Sequence, residues 1–170
     1  MDKAITTAML IIISMIMSMM LFNAAYPAVM ESSDAITTMA NRTNERMKSQ
    51  VEIIHAAGEL DNTGWWQDTN GNGQFEVFVW VKNVGELRIT AIEQTDVFFG
   101  PEGNFARIPY SANGSNGYPY WSWSLESGTN WDPNGTLRIV IRYGSPLSQG
   151  RYYIKVNTPS GASANYYTGM

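Results

Sequence analysis

The segment from Asp68 to Glu76 places oxygen-bearing side chains at alternate positions. It matches the first half of a calcium loop, in which the first, third and fifth residues supply ligands and a glycine permits the sharp turn. At the twelfth position, where such a loop carries a bidentate glutamate, this protein has Val79. Two interpretations stay open: a weak structural calcium site, or a hairpin turn before a strand. The candidate ligands are Asp68, Asn70, Asn72, Gln74 and Glu76.

Residues that catalysis commonly uses are scarce. The chain has no Cys and a single His, His55, which excludes disulfides, thiol catalysis, Cys-based metal sites and multi-histidine centres. No Ser/His/Asp set, paired-carboxylate motif or phosphate-binding P-loop occurs. The net charge of −4 at pH 7 offers no basic patch to nucleic acid. We therefore predict a protein that is not an enzyme, does not bind nucleic acid and needs no cofactor other than the calcium considered above.

Three glycosylation sequons and two aromatic clusters are the remaining candidates for modification or binding. The sequons begin at Asn41, Asn113 and Asn134, and the last two are Asn-Gly pairs of the kind found in turns. The aromatic clusters occupy residues 64–66 and 118–123. Such side chains stack on sugars when exposed, but more often they form a core or a subunit interface. A sugar-binding surface is therefore the weaker interpretation.

The N-terminal region differs from the rest of the sequence, because no charged residue occurs between Lys3 and Glu31. The segment from Ala4 to Phe22 is almost wholly apolar, and as a helix it spans roughly 28 Å, about the thickness of a bilayer's hydrocarbon core. A secretory signal peptide has a shorter apolar part after a basic start. We therefore predict a retained helix that enters a membrane. Its hydroxyl groups can bond back to helix carbonyls; they belong to Thr6, Thr7, Ser14 and Ser18.

The helical pattern continues beyond the apolar segment. Apolar or small residues recur every three or four positions from Val29 to Ile54, with charged residues on the opposite face. Pro27 predicts a local loosening of the helix, and Gly58 suits its C-cap. We therefore predict one helix over residues 1–57 that packs against copies of itself. The packing residues are Ile5, Met9, Ile12, Ile16, Met19, Phe22, Val29, Ile36, Met47, Val51 and Ile54.

The remainder, residues 58–170, is predicted to be a β-domain. The segment from Phe75 to Val81 alternates apolar and other residues with a period of two. Turn clusters of Gly, Asn and Pro separate the strand candidates. Six or seven strands in about 110 residues indicate an immunoglobulin-like antiparallel β-sandwich, so the fold class is α+β. The other predicted strands are 86–92, 94–99, 104–109, 136–143 and 151–157.

This arrangement resembles that of archaellins, the archaeal flagellins, and their accessory relatives in the type IV pilin-like superfamily. The resemblance rests on the start KAITTAMLIIISMI, the long helix and the β-domain, supported by VEIIHAAGELD (51–61), FVWVKNVGELRI (78–89) and GRYYIKVNTPSG (150–161). It implies a lollipop-shaped subunit that loses a short basic leader and is exported by an assembly ATPase and a membrane platform protein. No full basic leader precedes Ala4, so Met1 follows a removed leader or residues 1–3 form a minimal one.

The resemblance and the continuous helix together favour a structural subunit of a motility filament. The helix would hold the subunit in the cytoplasmic membrane before assembly, and identical helices would then form the core of an extracellular homo-oligomer. N-glycans at Asn113 and Asn134 are a further implication. Two alternatives stay open. One is a membrane-anchored accessory of the same machinery, either stator-like or a minor pilin, and the other is an anchored sugar-binding or adhesive module.

Overall fold

The computed structural model describes residues 2–115 and 117–170. The protein divides into two compact units, one up to Thr43 and the other Asn44–Met170. The first unit consists of most of a single α-helix, and the second contains the last turn of that helix and all the strands. The order of one long helix followed by antiparallel sheets confirms the predicted α+β class.

The helix, α1, runs from Asp2 to Lys48. Pro27 lies inside it, and the loosening predicted there stays a prediction. Three of the hydroxyl groups in the apolar segment donate hydrogen bonds to carbonyl oxygens one turn earlier, at 2.8 to 2.9 Å. These bonds keep polar atoms satisfied in a segment that has little other polarity. The donors are Thr7, Ser14 and Ser18, as predicted.

The predicted helix was nine residues too long, because residues 51–57 belong to a strand, β1 (Val51–Gly58). The packing roles predicted for Val51 and Ile54 on the helix are therefore wrong. Val51 and Ile53 are buried in the β-domain, whereas Ile54 is about half exposed. The β-branched side chains at 51 and 53 alternate into a sheet core, and this burial outweighs the helical spacing.

Within the described residues, eight strands form two four-stranded antiparallel sheets, with orders β1-β2-β6-β5 and β4-β3-β7-β8. A short 3₁₀ turn, Ile92–Gln94, precedes β3. The remaining strands are β2 (Phe75–Asn83), β3 (Asp96–Pro101), β4 (Ala106–Ile108), β5 (Tyr120–Leu125), β6 (Thr136–Tyr143), β7 (Arg151–Asn157) and β8 (Ser163–Gly169).

The strand predictions succeed where apolar alternation is clean. Residues 136–143 and 151–157 are β6 and β7 with the predicted bounds, and every end of β2, β3 and β4 lies within two residues of its predicted position. No strand forms at 86–92, where Ile89 makes only an isolated bridge to Trp131. Strands β5 and β8 were missed because Ser, Asn and Gly dilute their alternation.

One core joins the inner faces of both sheets. Val77, Val79 and Val81 of β2 are fully buried, as the alternation predicts. Two of the aromatic side chains, Trp121 and Trp131, are also fully enclosed. The core therefore includes Trp121 of the second aromatic cluster, and Trp123 is packed against the core while partly buried. The default interpretation of this cluster as core is confirmed for Trp121.

Tyr143, at the end of β6, makes the free energy of unfolding of the β-domain fall at alkaline pH. Burial raises the pKa of its phenol to about 12, and the neighbouring Tyr152 adds to the effect. An unfolded tyrosine titrates near about 10, so the unfolded state loses this proton first as pH rises. The contribution of Tyr143 to stability is therefore complete below about pH 10 and is lost progressively towards about pH 12.

The variant Tyr143→Phe has no such proton, so we expect its free energy of unfolding to fall less steeply with alkaline pH. The difference from wild type should reach at most about 2 kcal/mol near pH 12, after allowance for the partial exposure of the group. Denaturant titrations below about pH 10 and near about pH 12 measure it. Tyr118→Phe, at a half-exposed tyrosine, is the matched control. Identical pH profiles for wild type and Tyr143→Phe would contradict the expectation.

Candidate functional site

The first candidate site is the surface of α1. The large apolar side chains along this helix are solvent-exposed in the isolated protein; Ile12, for example, is 57% exposed. Among the described residues, α1 is the one helix that is long and apolar enough to cross a membrane, by length and composition. Its most apolar 18 residues have a mean hydropathy of 2.3. The exposed side chains predicted to pack are Ile5, Met9, Ile12, Ile16, Met19, Phe22, Val29, Ile36 and Met47, and their packing in an oligomer stays a prediction.

The last turn of α1 is joined to the β-domain by main-chain hydrogen bonds. The Glu86 N–H donates to the Lys48 carbonyl oxygen at 2.8 Å, and the Val84 and Gly85 N–H groups donate to the Gln50 carbonyl oxygen at 2.9 and 3.0 Å. The bond to Lys48 satisfies a carbonyl group that the helix end leaves free, and the two bonds to Gln50 hold the residues that follow. We call the segments 48–50 and 84–86 the helix joint.

Asn83 is the buried side chain that holds the helix joint in shape. It is fully buried, and its Nδ2 donates to the carbonyl oxygens of Leu87 and Trp131 at 2.9 and 3.2 Å. Its Oδ1 accepts the Gly85 N–H at 3.0 Å. The sequence predicts only that Asn83 belongs to a turn. Its role could not be predicted, because only the fold brings its partner, the Trp131 carbonyl, near.

The second candidate site is the loop from Asp68 to Gln74. The Asp68 carboxylate accepts N–H groups from three loop residues, at 2.7 to 3.1 Å. Asn70 Oδ1 accepts the Asn72 N–H at 3.0 Å, and Asn72 Oδ1 accepts the Gln74 N–H at 2.8 Å. The three predicted ligands at the start of the loop therefore turn their oxygens towards the loop's own backbone. The donors to Asp68 are the N–H groups of Gly71, Asn72 and Gly73.

Glu76 differs from the other predicted ligands because cationic and amide donors already hold it. Arg142 Nε donates to its Oε1 at 2.7 Å, and Asn70 Nδ2 donates to its Oε2 at 2.9 Å. Next to it across the strands, Glu59 is buried; its Oε1 accepts from Thr69, and its Oε2 has no hydrogen-bond partner among the described residues. Sequence reasoning missed Arg142 and Glu59, which only strand pairing brings to the loop.

The side-chain oxygen atoms of Asp68, Asn70 and Asn72 suit a calcium ion better than those of Glu76. Asp68 Oδ2 and the amide oxygens of Asn70 and Asn72 each accept one hydrogen bond and keep a further lone pair, whereas the Arg142 guanidinium repels a cation near Glu76. Gln74 is half-buried. Within residues 2–115 and 117–170, no three His, Cys, Asp or Glu side chains are grouped as a metal cluster. Calcium binding to this loop stays a prediction.

If the loop binds calcium, adding the ion to the full-length protein should release heat and raise the melting temperature, because a ligand that binds only the folded state stabilises it. Isothermal titration and thermal unfolding measure the two effects. Asp68→Ala, which removes the one carboxylate in the first half of the loop, should abolish both. Magnesium, which demands a stricter octahedral site, is the control ion. A titration without heat and an unchanged melting temperature would contradict the prediction.

The aromatic clusters divide between core and surface. Trp121 is 1% exposed and Trp66 is also buried, whereas Trp65 is 64% exposed and Tyr118 about half exposed. Asp61 fixes the loop that carries Trp65: the Thr63 hydroxyl and the Trp65 N–H donate to its carboxylate and lower its pKa from the usual value. The clusters therefore leave single exposed rings and no continuous aromatic platform within the described part of either cluster.

The sequon asparagines are all exposed: Asn41 on α1, Asn113 in the loop before β5 and Asn134 in the turn before β6. Their glycosylation stays a prediction. His55 lies on β1 rather than on a helix, and its ring is 5.3 Å from that of Trp80. Glu59 does not pair with it, because the Glu59 carboxylate is turned towards Thr69.

A protein-family model described as archaeal-type flagellin matches residues 3–168. An uncharacterized protein from Archaeoglobus fulgidus is 23% identical over 172 residues, which cover 97% of this chain and 96% of that protein. Both matches include the helix as well as the β-domain.

Three solved structures are similar in fold. The archaellum periplasmic stator protein FlaG from Sulfolobus acidocaldarius is 28% identical with a TM-score of 0.53, covering 71% of this chain and 99% of that one. A protein of the stator complex of FlaF and FlaG from the same organism is also 28% identical with a TM-score of 0.53. That match covers 70% of this chain and 88% of the other. The archaeal flagellin FlaB1 from Methanocaldococcus jannaschii is 13% identical with a TM-score of 0.47, covering 72% and 90%.

Proposed function

Because the chain belongs to the archaeal-type flagellin family, we propose that it is a membrane-anchored, stator-like accessory subunit of the archaellum. In this role α1 holds the protein in the cytoplasmic membrane, and the β-domain works outside it. The observation that carries the proposal is the 28% identity to the stator protein FlaG across 99% of that protein. The flagellin FlaB1, at 13% identity, gives no comparable support for a filament role.

The exposed surface of α1 supports the anchoring part of this proposal. No Asp, Glu, Lys or Arg interrupts residues 4–30, and the large apolar side chains of this segment are exposed in the isolated protein. Removing such a surface from water is favourable by tens of kcal/mol before entropy costs, at about 25 cal/mol per Å². The helix therefore needs a lipid or protein environment, and the membrane is the environment in which an accessory subunit would remain.

The second candidate is the structural subunit of the filament itself, polymerised through α1. The family match favours it, because that model covers the helix as well as the β-domain. In this role the helix leaves the membrane and packs against identical helices, with the export ATPase and platform protein implied by the resemblance. An enzymatic role has no support in either candidate, since the family is one of structural components.

Quantitative mass spectrometry of sheared surface filaments and of washed membranes tests the two roles. A stator-like accessory should remain with the membranes in small amounts, and deletion of its gene should leave filaments on the cell but stop or weaken swimming. If the protein instead dominates the sheared filaments, the accessory role is wrong and the filament role is supported. A filament-forming archaellin from the same cells serves as the internal standard for filament recovery.

A further inference from the structure

Two Asn-Gly pairs in the loop from Asp68 to Gln74 contain the groups needed for spontaneous deamidation: Asn70–Gly71 and Asn72–Gly73. In this reaction the glycine nitrogen loses its proton and attacks the carbonyl carbon of the asparagine amide. A new C–N bond closes a succinimide ring, the original C–N bond of that amide breaks, and ammonia leaves. Water then opens the ring to aspartate or isoaspartate. A hydrogen bond that holds the glycine N–H opposes the first step.

One carboxylate holds both of these glycine N–H groups. The Gly71 N–H donates to Asp68 Oδ1 and the Gly73 N–H donates to Asp68 Oδ2, each at 2.7 Å. Hydrogen bonds to an ionised acceptor are stronger than those to a neutral one. The negative charge also disfavours loss of the adjacent amide proton, because the product would be a second anion beside the first.

The asparagine side-chain oxygens are also held by hydrogen bonds. Asn70 Oδ1 accepts the N–H of Asn72, and Asn72 Oδ1 accepts the N–H of Gln74. Asn113 makes the same kind of bond, because its Oδ1 accepts the N–H of Ser115 at 3.2 Å. This bond to the amide two residues ahead is therefore common to the pairs, and the acceptor of the glycine N–H is what distinguishes them.

We propose that Asp68 suppresses deamidation of Asn70 and Asn72, and that Asn113–Gly114, whose glycine N–H has a neutral acceptor, deamidates faster than either. The Gly114 N–H donates only to the neutral hydroxyl oxygen of Ser111, at 3.0 Å, and Asn113 is exposed. This inference concerns the chemical durability of the loop and does not depend on the proposed function.

The remaining described pair, Asn134–Gly135, is held by a different restraint. Its glycine N–H donates to the Asp132 carbonyl oxygen at 2.9 Å within a turn, and Asn134 has a left-handed backbone with φ of 65°. Asn113 does not have a left-handed backbone, and the N–H of its glycine has a neutral acceptor. Asn113 is therefore the reference pair.

The test compares full-length wild type, Asp68→Ala and Asp68→Asn, made without glycosylation, kept in detergent and incubated at mildly alkaline pH. Peptide mass spectrometry with fragmentation gives a deamidation rate for each asparagine. In Asp68→Ala we expect the rates at Asn70 and Asn72 to rise by about tenfold or more, as the loss of a hydrogen bond to a charged group implies. The rate at Asn113 should not change.

Asp68→Asn separates loss of the acceptor from general loosening of the loop. Its single amide oxygen should stay where two N–H groups, those of Gly71 and Asn72, converge. Its amide nitrogen then faces Gly73 and cannot accept. Deamidation should therefore accelerate more at Asn72, whose glycine loses both the acceptor and the charge, than at Asn70, whose glycine loses the charge alone. Unchanged rates in Asp68→Ala, equal acceleration at both sites in Asp68→Asn, or a rise at Asn113 in either variant would overturn the proposal.

Discussion

Replacing Ile12 with aspartate is expected to abolish every association that runs through α1 while leaving the protein in the membrane fraction. A carboxylate at the centre of a membrane helix costs about 3 kcal/mol on insertion. The apolar segment, with a mean hydropathy of 2.3, can absorb that cost. In a bundle of identical helices each copy would instead bury an unpaired charge, which costs several kcal/mol per copy.

Membrane fractionation, swimming assays and electron microscopy of the Ile12→Asp strain measure the outcome, with Ile12→Leu as the matched control. If α1 acts only as an anchor, as we propose, filaments and swimming should persist. If α1 forms the filament core, filaments should disappear although the protein is still made. Normal filaments composed mainly of the Ile12→Asp protein would contradict the predicted helix packing, and its release from the membrane would contradict the anchor.

Replacing Gly85 with alanine is expected to destabilise the β-domain by about 3 kcal/mol, a large effect for one methyl group. An added Cβ at this position would lie 2.4 Å from the Lys48 carbonyl oxygen and 2.5 Å from the Gln50 nitrogen. Both atoms are main chain, so neither can move aside as a flexible side chain would. The helix joint must open, and its hydrogen bonds from residues 84–86 are lost or lengthened.

Thermal unfolding of the full-length protein in detergent should show the melting temperature of Gly85→Ala lowered by about 10 °C. Gly150→Ala is the control, because a Cβ there meets no atom within 4 Å. Hydrogen exchange at the Glu86 amide, which donates to Lys48, should accelerate in Gly85→Ala and not in the control. A melting temperature equal to that of wild type would show that the joint does not require glycine.

The boundary between helix and strand was the main feature that the sequence could not place. Val51 and Ile54 are three apart and fit a helix, whereas Val51 and Ile53 are two apart and fit a strand. The alternation of β1 is also shifted by a register irregularity between Ile53 and His55, which hides its period. Only the pairing of β1 with β2 decides between the two, and that pairing is a non-local contact.

The loop from Asp68 to Gln74 shows what local sequence can predict about a site. Its turn and its inward-facing oxygens follow from residue types at fixed spacing, whereas calcium binding by those oxygens stays a prediction. The arginine on Glu76 comes from a distant strand, at Arg142. Spacing along the sequence carries no information about such a partner. The ion pair that occupies Glu76, the fifth predicted ligand, could therefore not be predicted.

The helix joint is built from main-chain atoms, so the side chains around it can differ between members of the family. Hydrogen bonds from the N–H groups of Val84 and Glu86 would be the same for almost any side chain at those positions. Natural relatives should therefore vary freely at 84 and 86 while retaining glycine at 85. Evolution can then alter the surface around the base of the helix, and with it the choice of neighbours, without altering the connection itself.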